Sequence, residues 1–127
     1  MDGLKVWYIN KIKKMKNYKL EKLQNGETFI TKEKGNSMMP LIKSGELHKL
    51  APVVLEDVKV DDIVYCRVKG NWYTHLVKAV DEKKGCLIGN NKGRINGWTT
   101  KVFGKVIEVG SHLKDNEEAK KIEEPKK

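Results

Sequence analysis

Ser37 and His75 are residues of this chain whose types could support nucleophilic chemistry. Ser37 lies in "GNSMMP", residues 35–40. A serine hydroxyl is a weak nucleophile until a neighbouring base takes its proton. His75, in "NWYTHLVKAV" at 71–80, offers an imidazole, the side chain best suited to accept that proton near neutral pH. Asn90, in "LIGNNKGRINGW" at 87–98, brings an amide oxygen able to hold an imidazole in one tautomer. Two readings of Asn90 stand, because Asn90 and Asn91 also suit a turn, where Asn tolerates a left-handed backbone. Pro40 stiffens the turn that presents Ser37, and a backbone N–H of that turn is placed to bind an oxyanion. Asn36, Met38 and Met39 flank the nucleophile and are the candidate substrate-binding positions.

The remaining reactive side chains offer less. Lys78 is three residues from His75, which puts it on the opposite face of a regular strand and makes it a poor alternative base. His48 and His112 are expected at the surface. No His, Cys or acidic cluster has metal-ligand spacing, and "KGRINGW" fits no phosphate-binding loop, so no cofactor is expected. Arg94 and Trp98 suit contact with a peptide or a nucleic acid, and a hairpin tip accounts for them equally well. Cys66 and Cys86 sit in strand-like runs without a CxxC pair and read as buried free thiols in a reducing compartment.

The elements that must position these residues are mostly strands. Beyond Phe29, short β-rich runs alternate with turn chemistry: "ELHKLAPVV", "DIVYCRV", "NWYTHLVKAV", "GCLIGN" and "KVFGKVIEV". "KGN" and "DEKKG" are hairpin connections between them. Five strands at this spacing, with no long helix between them, predict a mainly β fold: an antiparallel sheet that coils on itself into a partly open barrel. Residues 4–24 read as an N-terminal helix with Leu4, Trp7, Tyr8, Ile12, Met15 and Tyr18 on one broad face, ended by Asn25-Gly26. The division is a basic helical arm at 1–28, a β domain at 29–112, and a charged tail at 113–127 that frays or is disordered.

With 127 residues, 39% apolar and 34% charged, the chain suits a single domain with a modest core. The net charge of +9 is uneven: residues 1–34 carry nine lysines against four acidic residues, and the last fourteen are neutral overall. Such an arm permits weak, non-specific nucleic-acid contact or is a solvated face. It is too short for a helix-turn-helix domain. No apolar run approaches the ~20 residues that span a bilayer, and the N-terminus lacks the apolar centre of a secretion signal. A soluble, cytoplasmic protein is expected.

In this order, "GNSMMP", the "DDIVYCRVKGNWYTHLVKAV" hairpin, "LIGNNKGRINGW" and "VFGKVIEV" resemble the serine peptidase superfamily of signal peptidases and self-cleaving LexA-type repressors. The likeness runs from about Gly35 to Val109. A histidine where many members have lysine is similar to the endoplasmic-reticulum and archaeal branch. The resemblance implies a Ser37 nucleophile, a His75 base, and Asn90 at the position of that branch's aspartate. It also implies acyl-enzyme hydrolysis of a polypeptide substrate, or self-cleavage, with small side chains favoured near the cut; the soluble form expected above suggests a protein of a bacterium, archaeon or virus. Two departures stand out. Asp61-Asp62 replaces a Gly-Asp pair, and Asn90 replaces a carboxylate. They keep open the alternative of an inactive, peptidase-like binding module for nucleic acid or a protein.

Overall fold

The computed structural model describes residues 17–113. Along the chain these form α1 (Tyr18–Gln24), β1 (Phe29–Thr31), β2 (His48–Pro52), a 3-10 turn (Leu55–Asp57), β3 (Ile63–Val68), β4 (Asn71–Asp81), β5 (Gly85–Gly89), β6 (Ile95–Thr99) and β7 (Val102–Val109). Of the helix expected over 4–24, only the last part lies within the described residues. Its start there is set by Asn17, whose side-chain oxygen accepts the Leu20 N–H at 2.9 Å. It stops at Asn25-Gly26, with Gly26 in the left-handed region at φ 81°. The tail beyond Leu113 lies outside the described residues.

The seven strands form one antiparallel sheet in the order β1-β2-β7-β3-β4-β5-β6. The last strand among the described residues is therefore an interior strand of the sheet, holding β2 on one side and β3 on the other. Lys69 and Gly70, at φ 51° and 84°, make the two-residue turn between β3 and β4, whose twist matches that of paired strands. The sheet is not closed, since β1 and β6 are its end strands. It does coil: Thr99 Oγ1 at the end of β6 donates to Arg67 O on β3 at 2.6 Å, although the two strands are not neighbours in the sheet. Among the described residues the mainly β, antiparallel architecture agrees with the sequence reading.

Apolar side chains gather into three adjoining clusters. Val58, Val64, Cys66, Val68, Val77, Cys86, Ile88 and Val102 fill the centre of the coil. Leu23, Phe29, Leu50 and Tyr65 join α1 to the sheet. Residues 17–24, assigned by sequence to a separate arm, are thus part of the packed fold. Gly104 on β7 makes this seat possible, because a Cβ there would lie 2.8 Å from Leu23 Cδ1. Met38, Ile42 and Leu76 form the third cluster, beneath the Ser37 turn. Both cysteines are buried free thiols, as expected.

His48 departs from the surface position expected of it. It begins β2 on the same inward face as Leu50, and period-two alternation carries it fully inside. His112 is exposed and pairs with Glu108. Among the described residues no helix is long and apolar enough to cross a membrane.

Candidate active site

Ser37 sits in the long connection between β1 and β2, and that connection is tied to itself. Gly45 N–H donates to Glu33 O at 2.8 Å, and Gly35 N–H donates to Ser44 Oγ at 3.0 Å. Within it, Met39 N–H donates to Asn36 O and Ile42 N–H to Met38 O, so Ser37 opens a tight turn. The turn is anchored from below by Met38 and Ile42, buried against Leu76. From the side, Asn91 clamps it: its N–H donates to Ser37 O at 2.9 Å and its Nδ2 to Met39 O at 2.9 Å. The Met39–Pro40 bond is cis.

His75 is in the middle of β4, opposite Val64 of β3. Two residues further on, Val77 is gripped by the Asp61-Asp62 pair: Asp61 N–H donates to Val77 O, and Val77 N–H donates to Asp62 O. Asp61 takes a left-handed φ of 76°, the conformation a glycine would supply freely and Asp tolerates better than most residues. Asp62 stays in place by accepting Lys59 N–H at 2.8 Å and pairing with Lys105 at 3.2 Å. The His75 ring is 9% exposed and stacks on Tyr73 with centroids 4.8 Å apart.

These supports bring Ser37 Oγ to 3.1 Å from His75 Nε2. The other ring nitrogen, Nδ1, lies 2.7 Å from Asn96 Oδ1. An amide oxygen only accepts, so Nδ1 carries the hydrogen and Nε2 is free to accept from the Ser37 hydroxyl. The row Ser37–His75–Asn96 thus has the polarity of an activated nucleophile, its base and an orienting group.

Asn90, the sequence choice for the orienting position, is engaged elsewhere. Its Oδ1 accepts the N–H groups of Lys92 and Arg94, at 2.8 and 2.9 Å, which builds the β5–β6 turn. Of its two readings, the geometry supports the turn. Asn96 was missed because Ile95-Asn96-Gly97-Trp98 reads as a turn by its Asn-Gly pair. In the fold it is a strand paired to β5, with Gly97 at φ 135° opposite Ile88. Lys78 falls at a β-bulge between Val77 and Ala79, so strict alternation does not govern it; its stem lies against Gly89.

A cleft of about 160 Å³ opens beside the dyad, lined by Ser37, Met38, Ile42, Tyr73 and His75 with Glu33, Lys34 and Lys43 near its rim. Met38 lines this cleft, whereas Asn36 and Met39 are exposed and do not. Burial pushes the Glu33 carboxyl up, but Lys19 at 2.8 Å and the nearby His48 outweigh it, holding the group below its ordinary value. Among the described residues no His, Cys and acidic side chains converge to hold a metal. Comparison with known proteins finds no matching family model, no similar curated protein and no similar solved structure.

Proposed function

We propose that the chain is a serine endopeptidase, or self-cleaving peptidase, of the signal-peptidase/LexA type. The observation that carries this reading is the contact chain from Ser37 Oγ through both ring nitrogens of His75 to Asn96 Oδ1. A turn serine and a strand histidine separated by 38 positions have no structural need to meet in this order and polarity.

In the proposed reaction His75 Nε2 takes the Ser37 proton as Oγ attacks the scissile carbonyl. The Ser37 and Met38 N–H groups are the candidate oxyanion donors, Met39 N–H being engaged by Asn36 O. The imidazolium then protonates the leaving amine, and a water activated by the same nitrogen releases the acyl group. The small cleft, apolar on the side of Met38 and Ile42, suits one small side chain next to the cut. A substrate strand lying along the open sheet margin would present its backbone to the turn.

The test is covalent labelling of Ser37 by a fluorophosphonate or a peptide aldehyde, beside a small-residue peptide library. Labelling of the wild type that is lost in Ser37→Ala and strongly slowed in His75→Ala supports the proposal. A wild type that neither labels nor cleaves would overturn it in favour of a peptidase-like binding module.

A further inference from the structure

A second site lies where three separate connections meet, away from the dyad. The β3–β4 turn, the β4–β5 turn and the β6–β7 junction enclose a groove of about 370 Å³. Lys69, Lys84 and Lys101 line it together with the exposed ring of Trp98 and no acidic residue. Arg67 borders it as well, but its guanidinium lies over the Trp72 ring, 5.4 Å from its centre.

The frame of the groove is rigid although its side chains are exposed. Arg67 N–H donates to Lys101 O at 2.9 Å, Thr99 Oγ1 donates to Arg67 O at 2.6 Å, and Lys101 N–H donates to Thr99 Oγ1 at 3.0 Å. Gly85 lets the β4–β5 turn close against β6, since a Cβ there would lie 2.3 Å from Thr99 O. That closure puts Lys84 Nζ 5.2 Å from the centre of the Trp98 ring. Lys84 is thus held beside the Trp98 ring, with Lys69 and Lys101 lining the same groove and no acidic residue among them.

We propose that this groove binds single-stranded nucleic acid with little sequence preference. Phosphates contact Lys69, Lys84 and Lys101, and a base stacks on Trp98. A base–aromatic stack is stronger than an exposed cation–π contact, so a base takes the ring face and releases Lys84 to a phosphate. A duplex, with its bases already stacked inside, gains nothing from Trp98. The groove shares no lining residue with the dyad cleft.

The experiment is fluorescence anisotropy of the full chain with a labelled oligothymidylate of roughly ten nucleotides, a length within the usual single-strand site sizes. Log affinity is expected to fall against log salt with a slope of about −2, from about 0.7 per phosphate contact on single strands. Replacing Lys69 and Lys84 together by alanine lowers that slope by about 1.4. Trp98→Ala weakens binding about fivefold or more at constant salt, and Trp98→Phe restores most of it. The Trp98 dependence persists when Lys11, Lys13, Lys14 and Lys16 are changed to alanine. Thermal melting of each variant establishes that it folds, and the exposed Lys84→Glu change gives a second reading of the groove. No binding at low salt, or groove variants that bind like the wild type, would overturn the proposal. Polyglutamate or anionic vesicles competing as well as the oligonucleotide would also overturn it.

Discussion

The proposed peptidase chemistry turns on which His75 nitrogen carries the hydrogen, and Asn96 sits against one of them. Its oxygen at 2.7 Å holds the imidazole in the one tautomer that can accept from Ser37. An amide dipole stabilises the imidazolium less than a carboxylate would, and a serine peptidase that loses its triad aspartate slows by about 10⁴-fold. Asn96→Asp is therefore expected to raise kcat with KM little changed. Asn96→Ala should lower kcat about tenfold or more, up to the 10²–10⁴-fold that a positioned base contributes. Asn90→Asp, altered in the turn alone, should leave kcat within about twofold, because it has no contact with the ring. Peptide hydrolysis or the rate of Ser37 labelling reads all three. Sensitivity at Asn90 with indifference at Asn96 would reverse the assignment.

At the scale of elements, β6 is the least conspicuous strand and the one the site depends on. It carries Asn96, and its neighbour Gly97 adopts φ 135°, which side chains other than hydrogen rarely do. A Cβ at Gly97 would also lie 3.3 Å from Val68 Cγ1, a core atom, and 3.3 Å from the more yielding Lys69 Cε. Gly97→Ala should cost about 1–3 kcal/mol from backbone strain alone. For a domain of this size each kcal/mol lowers the melting temperature by about 4–8 °C, so calorimetry resolves the effect. Labelling of Ser37 should slow in the same variant, since any shift of β6 moves Asn96. An unchanged melting temperature would mean that β6 is not held as described.

For the molecule as a whole, the interior groups give a pH dependence with a definite sign. Burial pulls the His48 imidazole below its ordinary 6.5; the Glu33 and Glu46 charges and a hydrogen bond to Glu46 O offset this in part, and Lys19 adds to it. A base that titrates lower in the folded state leaves the unfolded chain binding more protons. Stability is then full above about pH 6.5 and falls as the pH drops below it. Glu33, also lowered, adds a second loss below its ordinary 4.5. Urea midpoints should decline from about pH 7 to about pH 5, and His48→Gln should flatten that decline even if it lowers the whole curve. The thiols behave differently. Burial raises Cys66 to about 12 and Cys86 above its ordinary value. Neither should react with iodoacetamide in the native protein at neutral pH, and both should react in urea. Fast native labelling of either would place it outside the core.

Much of this was legible along the chain, and the reason is local. Alternating apolar residues and the Lys69-Gly70 turn specify β3 and β4 without help from the rest of the molecule, and that hairpin carries His75. The turn nature of "GNSMMP" is equally local, as is the apolar character that buries Cys66 and Cys86. Tertiary structure decided the rest. His48 went inside because β2 pairs with both β1 and β7, which selects the face it shares with Leu50. Ile95–Thr99 became a strand because β5 offers it a partner edge, and pairing outweighs the turn preference of Asn-Gly. Asn96, not Asn90, reaches His75 because the sheet coils, a property of how seven strands twist together. The chain alone determines which residues are able to do chemistry; which of them meet depends on that coil.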